Sequence, residues 1–171
     1  AARLAPASAL RALEVGAYCG YSALRLALAR PGLQIVSLEA DPAAAVIARN
    51  LVAHAGLADA VDVRVGHSED VLPRLSSADG GHAEGPFGLV FFDQRGSRYS
   101  DDLATLESLG LLAPGAVILA DNVLKPGAPA FLWRLLQGRG YRTQLVSLSE
   151  YAMPGVEDWM SLSVRELGAA G

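Results

Sequence analysis

The chain has 171 residues, enough for one domain with a sizeable core, and 51% of them are apolar while 19% are charged. A net charge of −4 and scattered arginines argue against a nucleic-acid surface, which needs clustered basic side chains. The single cysteine, Cys19, excludes an internal disulfide, and no apolar run approaches the roughly 20 residues of a membrane span.

The most informative stretch lies near the start of the chain. A strand predicted at about 11–16 breaks at Gly16 and Gly20, and a helical pattern follows at about 20–30. Glycines in such a turn let a ligand approach the backbone, and the helix N-terminus offers unpaired N–H groups. The next strand, at about 34–39, ends on Glu39, which can accept hydrogen bonds from both hydroxyls of a ribose. The pair predicts a nucleoside-containing cofactor, although the glycine spacing is not the dinucleotide G-x-G-x-x-G.

Helices and strands alternate through the rest of the chain. Asp41 as N-cap and Pro42 at N1 predict a helix to His54 that closes on Gly56. The elements predicted after it are a strand at about 61–65, a helix from Ser68 to Leu75, a loop from Ser76 to Pro86, a strand from Phe87 to Phe92, a helix at about 100–112, a turn at Pro114-Gly115, a strand from Ala116 to Ala120, a helix to about Leu136, and antiparallel strands at about 141–148 and 159–165. We therefore expect a single α/β domain over residues 1–171, with a mostly parallel sheet, an antiparallel C-terminal edge and helices on both faces.

Polar side chains follow two strongly apolar strands of this predicted sheet. Asp93 comes directly after Phe92, and Asp121 and Asn122 come directly after Ala120. Ligands of open α/β sheets bind beyond the carboxyl ends of the strands, and two carboxylates with an amide oxygen suit Mg²⁺. Two carboxylates close together would repel each other without a cation. The alternative is that both aspartates cap the segments that follow them.

Several runs of residues together resemble the catechol O-methyltransferase family. They are Glu14-Val-Gly-Ala-Tyr-Cys-Gly-Tyr-Ser22, Phe92-Asp93 with Arg98-Tyr99, Ala120-Asp-Asn-Val123, Pro126-Gly127 and Ser149-Glu150-Tyr151. The resemblance implies a Rossmann-like methyltransferase fold with a seven-stranded sheet. It also implies transfer of the methyl group of S-adenosylmethionine to one hydroxyl of a catechol, with Mg²⁺ holding both catechol oxygens.

The resemblance also assigns roles to residues of this chain. The metal ligands would be Asp93, Asp121 and Asn122, and Glu39 would hold the ribose. The adenine end would be lined by Gly66, Ser68 and Glu69. From their positions beside these residues and after the first metal ligand, we also expect His67 to contribute through its backbone and Gln94 to contact the adenine or the cofactor's amino acid. The methionine portion would be surrounded by Glu14, Gly16, Tyr18 and Ser22, and Asp93 is also expected among the cofactor-binding residues. Glu150 would hydrogen-bond the catechol hydroxyl that is not methylated.

One departure from the family concerns the general base. The family has a lysine three residues after the first metal aspartate, and this chain has Gly96 there. Arg95 stays protonated, so it can stabilise a phenolate but cannot accept the proton. We consider Lys125, the single lysine, or a metal-bound hydroxide as a replacement; the alternative for Lys125 is a solvent-exposed loop residue.

The other departure concerns the helices that close over the site in the family. This chain begins Ala-Ala, almost directly on the first strand, so we expect it to be part of a longer protein. A lid would then come from a missing N-terminal region or from another chain. We also expect a cytoplasmic location, a small-molecule catechol as substrate, and no nucleic-acid partner.

Two other functions share parts of this pattern. A degenerate cofactor-binding or scaffolding module would keep the fold and Glu39 without catalysis, and Gly96 favours it. An NAD-dependent oxidoreductase would explain the first turn and Glu39, but it would leave the two strand-end aspartates and Asn122 without a function.

Overall fold

The computed structural model describes residues 11–76, 85–137, 140–149 and 153–166. Its elements in chain order are β1 (Arg11–Val15), α1 (Tyr21–Ala29), β2 (Gln34–Glu39), α2 (Pro42–His54), β3 (Val61–Val65), α3 (Ser68–Ser76), β4 (Phe87–Phe92), α4 (Tyr99–Ser108), β5 (Leu112–Ala120), α5 (Pro129–Gln137), β6 (Tyr141–Ser149) and β7 (Glu157–Arg165). No helix within these ranges is both long and apolar enough to cross a bilayer. The predicted loop 76–86 falls largely outside the described residues.

The seven strands form one sheet in the order β3-β2-β1-β4-β5-β7-β6. The pairs from β3 to β5 are parallel, whereas β7 runs antiparallel to both β5 and β6. This arrangement confirms the predicted Rossmann-like sheet with an antiparallel edge. The chain proceeds outward from β1 to β3 and then returns to place β4 on the other side of β1. The carboxyl ends of β1 and β4 therefore form the topological switch point, where ligands of such sheets bind.

Helix α2 begins as its sequence predicts. The Asp41 side chain accepts a hydrogen bond from the backbone N–H of Ala43 at 2.8 Å, and Pro42 stands at the first helical position. Helix α1 starts differently, because Gly20 precedes it with φ of 84° and no side chain caps it. The first N–H groups of α1 therefore have no side-chain partner from the capping position.

The segment between α4 and β5 differs from the prediction. Helix α4 ends at Ser108, four residues earlier than expected, because Gly110 has φ of +66° and Leu112 already pairs with Phe87. The turn predicted at Pro114-Gly115 is an irregularity inside β5. Phe87 pairs with Leu112 but Leu89 pairs with Val117, so β5 holds extra residues at this point.

The core lies in two layers, one on each face of the sheet. One layer contains apolar side chains of α3, α4 and α5, and the other contains mostly alanines of α1 and α2. Alanines let α1 and α2 pack close to the sheet, so the turn after β1 is held against a rigid surface. The two layers leave the carboxyl edge of the sheet as the place where loops converge.

Candidate active site

The turn after β1 packs against the end of β4. Gly16 has φ of +107°, and a Cβ placed on it would lie 2.2 Å from the carbonyl oxygen of Asp93. Tyr18 also has a positive φ of 45°, and its N–H donates to Glu39 Oε2 at 2.6 Å. Glycine is therefore required at position 16 both for its backbone angle and for the close approach of the two chains.

Replacing Gly16 by alanine is expected to destabilise the fold by roughly 2–5 kcal/mol, from backbone strain plus steric overlap with Asp93. Gly32→Ala is the matched control, because Gly32 also has a positive φ, +87°, but no atom lies within 4 Å of its added Cβ. It should cost about 1–2 kcal/mol, the strain alone. Urea unfolding of both variants measures the difference. If both variants lost the same free energy of unfolding, the steric overlap with Asp93 would contribute nothing to the cost.

A cavity of about 540 Å³ lies between the ends of β1, β2, β3 and β4. The predicted cofactor residues that border it are Gly16, Tyr18, Glu39, Gly66, His67, Ser68, Glu69, Asp93 and Gln94. Glu39 is fixed there by the N–H groups of Tyr18 and Asp41, at 2.6 and 2.8 Å. Each carboxylate oxygen has a second lone pair, so a fixed Glu39 can still accept from a pair of hydroxyls.

A polar network supports the far wall of this first cavity. The Gln94 side chain donates to the buried carboxylate of Asp102 and lies 3.4 Å from Ser68 Oγ. Arg98 forms ion pairs with Glu69 at 3.1 Å and with Asp102 at 3.6 Å. Burial raises the pKa of Asp102, while Ser68, Arg98 and Gln94 oppose the rise. Asp102 is a site residue that the sequence did not reveal, because nothing in its helix distinguishes it from Asp101.

A second cavity, of about 550 Å³, adjoins the first and shares Gly16, Tyr18 and Asp93 with it. Ser22 and Asp121 also border it. Its remaining walls contain both apolar and polar side chains. Apolar side chains come from Ala17, Leu26, Phe91, Leu119 and Met160. Tyr21 and Arg25 belong to α1, and Cys19 stands in the turn before it. The cysteine is half-buried at the cavity and not enclosed in the core. Asp93 thus stands between a polar cavity and a partly apolar one.

The two strand-end aspartates are brought together by strand pairing. Phe92 pairs with Ala120, and the N–H of Asp121 donates to the carbonyl of Phe92 at 2.9 Å. Asp93 and Asp121 are therefore the next residues on neighbouring strands, and both border the second cavity. The Oδ1 atom of Asp121 accepts from the N–H of Asn122 at 2.8 Å, so this carboxylate is oriented by its own loop.

Tyr99 holds the two strand ends in place from below. Its buried hydroxyl lies 2.9 Å from the carbonyl oxygen of Gln94 and 3.1 Å from that of Asp121. Its ring packs on Phe92 and Phe131, with centroid distances of 5.3 and 5.5 Å. Burial raises the pKa of Tyr99, and the negative charges of Asp93 and Asp121 raise it further. The neutral phenol therefore acts as a fixed donor beneath both aspartates.

Asn122 is held by a residue that the sequence did not reveal, Asp158. The amide Nδ2 of Asn122 donates to Asp158 Oδ2 at 2.9 Å, and Asn122 itself has a left-handed backbone with φ of 54°. Burial raises the pKa of Asp158, but hydrogen bonds from Asn122 and from the N–H groups of Trp159, Lys125 and Leu124 lower it by more. Asp158 is 36 residues from Asn122, and no local pattern predicts their pairing.

Glu14 lies beneath the first turn and borders neither cavity. It is fully buried; its Oε2 accepts from the hydroxyl of Ser37, and its Oε1 has no hydrogen-bond partner among the described residues. Burial raises its pKa above the ordinary value of 4.5, and the nearby hydroxyls of Ser22 and Ser37 lower it by less. Its predicted place beside the methionine portion therefore stays a prediction.

The raised pKa of Glu14 makes folding stability depend on pH. The folded state binds the proton more tightly than the unfolded state, so the wild type loses stability as pH rises from 4.5 through the folded pKa. Glu14→Gln removes this loss and should gain stability relative to the wild type as pH rises, then level off. Urea unfolding from pH 4 to 8 measures it, with the exposed Glu166→Gln as control. A pH-independent difference would contradict the assignment.

The structure does not place three other predicted residues in the wall of the second cavity. Lys125 is exposed. Hydrogen bonds from Trp159 and Ser147 lower the pKa of the exposed Glu157, and the charge of Lys125 adds to this lowering. Arg95 borders the first cavity and not the second cavity, which Asp93 and Asp121 share. Glu150 lies outside the described residues. The roles of Lys125 as general base and of Glu150 toward the substrate therefore stay predictions.

Gly96 is buried against the turn Val123–Gly127. A Cβ on it would lie 2.5 Å from the carbonyl oxygen of Gly127 and 3.1 Å from the Cβ of Ala128. The position therefore cannot carry a lysine without movement of the loop that follows Asn122. The packing around Gly96 thus leaves no room for the lysine that the resemblance to the family leads one to expect at this position.

The oxygen atoms at the ends of β4 and β5 are of the kind that bind a hard divalent cation. Asp93 and Asp121 supply carboxylate oxygens, and because Asn122 directs its amide nitrogen to Asp158, its amide oxygen faces away from that carboxylate. Within the described ranges, no group of three or more His, Cys, Asp or Glu side chains could hold a metal ion. The third donor here would have to be the amide of Asn122.

Comparisons with known proteins agree on the family. The family model described as O-methyltransferase matches residues 4–130. Catechol O-methyltransferase B of Danio rerio is 42% identical over 134 residues, covering 78% of this chain and 50% of that protein. Catechol O-methyltransferase of Sus scrofa is 44% identical over 142 residues, covering 82% of this chain and 75% of that protein. The crystal structure of an O-methyltransferase from Bacillus cereus in complex with SAH gives a TM-score of 0.80 at 25% identity, covering 93% of this chain and 75% of that one.

The sheet order and the glycine turn at the switch point define the class of Rossmann-like methyltransferases. The chain belongs to the catechol O-methyltransferase family. It spans about half the length of the Danio rerio relative.

Proposed function

We propose that this chain transfers the methyl group of S-adenosylmethionine to one hydroxyl of a catechol-type substrate in the presence of Mg²⁺. The observation that carries the proposal is the position of Asp93, which borders both the first cavity and the second cavity that it shares with Asp121. The nucleoside of the cofactor would occupy the first cavity, and its methionine portion would extend past this residue into the second cavity, where the substrate would bind. We assign residues 1–171 to one such domain.

Glu39 and the first turn would hold the cofactor. The carboxylate of Glu39 is already fixed by two backbone N–H groups, so it would bind the ribose hydroxyls without a loss of side-chain entropy. Ser68 and Gln94 form the polar wall at the adenine end, and Asp102 keeps Gln94 in place. Gly16 and Ser22 leave room in the second cavity for the methionine portion.

Asp93, Asp121 and Asn122 would hold the cation and, through it, both catechol oxygens. When bound, Mg²⁺ would favour the phenolate of a hydroxyl whose ordinary pKa is near 10. The neighbouring strands fix both aspartates, so the substrate oxygen would be oriented toward the methyl group. Phe91, Leu119 and Met160 offer an apolar wall for the substrate ring.

The proton of the reacting hydroxyl has no lysine or histidine acceptor in the described wall of the second cavity. We propose that it passes to solvent, and Lys125 is the alternative. Rates should then rise with pH until the bound hydroxyl is ionised.

Introducing the family's lysine at position 96 should lower the folding stability of the chain without speeding methyl transfer. Gly96→Lys would force the carbonyl of Gly127 to move, so we expect a loss of roughly 1–3 kcal/mol in stability and no gain in methyl-transfer rate. Ser97→Lys, one residue away and exposed, is the matched control for an added cation and should keep its stability. Thermal unfolding and initial rates measure both. A faster Gly96→Lys enzyme would show that the loop makes room for a base.

Methyl transfer tests the function directly. The chain is incubated with methyl-labelled S-adenosylmethionine and catechol, with Mg²⁺ or with EDTA, and phenol replaces catechol as a control. We expect label in the methylated catechol only with Mg²⁺, and none in phenol, because phenol offers one oxygen. Cofactor binding without transfer would favour the non-catalytic module, which the closed position at Gly96 also favours.

A further inference from the structure

Asp158 is a buried carboxylate at the start of β7. Among the described residues, its side chain accepts hydrogen bonds from the loop 122–125 and from its own neighbour. It is 3% exposed. Its Oδ1 accepts from the N–H groups of Leu124 at 3.2 Å, Lys125 at 3.0 Å and Trp159 at 2.7 Å. Its Oδ2 accepts from Asn122 Nδ2 at 2.9 Å. These hydrogen bonds connect strand β7 to the loop that carries Asp121 and Asn122.

The pairing with Asp158 decides which way the amide of Asn122 faces. A carboxylate oxygen accepts and does not donate, so the NH₂ group of Asn122 must face Asp158 and its oxygen must face away. The oxygen and the NH₂ group of the amide have nearly the same shape. If Asp158 did not fix the orientation of the amide, the NH₂ group could turn toward the cation. An NH₂ group cannot coordinate a cation, and it would repel one.

We propose that Asp158 is a positioning residue that presents the amide oxygen of Asn122 to the divalent cation. The inference rests on the proposed function, since it needs a cation at Asp93, Asp121 and Asn122. Residues that orient metal ligands from behind typically contribute 10–100-fold to metal affinity. Asp158 is such a residue, contributed by the antiparallel edge of the sheet.

Asp158→Asn is the substitution that separates positioning from packing, because it changes no volume. The introduced amide has one oxygen and one NH₂ group, but Asp158 meets donors on both sides. If its oxygen accepts from the N–H groups of Leu124 and Lys125, its NH₂ group faces that of Asn122. Asn122 must then turn, and its oxygen leaves the cation site. A merely structural carboxylate would not predict this effect.

The double variant Asn122→Asp with Asp158→Asn reverses the polarity of the pair. The introduced amide donates to the introduced carboxylate and still accepts from the three N–H groups. The carboxylate at position 122 keeps one oxygen for the cation. This variant should recover what Asp158→Asn loses, which a general defect in the loop would not allow. Glu157→Gln, next to Asp158 but exposed, is the matched control.

The test measures binding of Mn²⁺, as a probe for Mg²⁺, by titration calorimetry on the full chain saturated with S-adenosylhomocysteine. We expect Asp158→Asn to bind Mn²⁺ at least tenfold more weakly than the wild type, with little change in affinity for S-adenosylhomocysteine. The double variant should return to within about threefold of the wild type, and Glu157→Gln should match the wild type.

Three outcomes would overturn the inference. Unchanged Mn²⁺ affinity in a folded Asp158→Asn variant would show that Asn122 needs no orienting partner. A double variant that stays as weak as Asp158→Asn would make the role structural. A wild type that binds S-adenosylhomocysteine but not Mn²⁺ would remove the cation from the proposed function, and the inference with it.

Discussion

Replacing Asp121 by alanine is expected to reduce methyl transfer to catechol at least 100-fold at a fixed Mg²⁺ concentration. In the proposed cation site, the substitution would remove a carboxylate ligand and leave only Asp93 and Asn122 to hold the cation. A 100-fold loss corresponds to about 2.7 kcal/mol of transition-state stabilisation, within the several kcal/mol that a bound cation can supply. Initial rates with labelled S-adenosylmethionine over a range of Mg²⁺ concentrations measure the effect.

The profile over Mg²⁺ concentration distinguishes a metal ligand from a capping residue. A lost ligand should shift the half-saturating Mg²⁺ concentration upward, whereas a lost cap would lower stability without that shift. Asp59→Asn is the control, because Asp59 is an exposed carboxylate beside β3 at the opposite edge of the sheet. If Asp121→Ala kept the wild-type Mg²⁺ profile, the two strand-end aspartates would be structural.

Replacing Glu39 by glutamine is expected to weaken S-adenosylmethionine binding by about 10–100-fold. One acceptor oxygen becomes a donor, so the variant must lose either a backbone N–H partner or a ribose hydroxyl. Hydrogen bonds to a charged group contribute about 1.5–3 kcal/mol each, which gives a loss of this size. Titration calorimetry with S-adenosylmethionine measures the dissociation constant.

This experiment needs a control for the change of charge. Glu166→Gln removes one exposed carboxylate after β7 and should bind S-adenosylmethionine like the wild type. The unfolding midpoint of Glu39→Gln without cofactor reports how much of the effect comes from the first turn. A dissociation constant within twofold of the wild type would exclude Glu39 as the ribose partner.

The fold was predictable because strands and helices in this chain are marked by clear local signals. The apolar run at Phe87–Phe92 and the Asp41-Pro42 start of α2 appear in the structure as the sequence indicates. The end of α4 was not predictable, because the apolar run 109–112 continues a helical pattern equally well. The positive φ at Gly110 and the pairing of Leu112 with Phe87 decide the outcome, and both depend on tertiary packing.

The residues that border the two cavities were predictable where a residue ends a strand or stands in the loop just after it. Asp93 and Asp121 directly follow β4 and β5, and Glu39 is the last residue of β2. The parallel sheet brings all three to one edge. Asp158 lies at the beginning of an antiparallel strand, where position along the chain gives no indication of its partner Asn122. The packing of Gly96 against Gly127 likewise comes from loops that are distant in sequence.

The most direct test of the cation site is anomalous diffraction from crystals of this chain with S-adenosylhomocysteine and Mn²⁺. We expect one strong Mn²⁺ peak bonded to carboxylate oxygens of Asp93 and Asp121 and to the amide oxygen of Asn122, at roughly 2.0–2.2 Å. The amide nitrogen of Asn122 should still donate to Asp158. A peak bonded to other residues, or a filled cofactor site with no peak near Asp93, would contradict the proposed cation site.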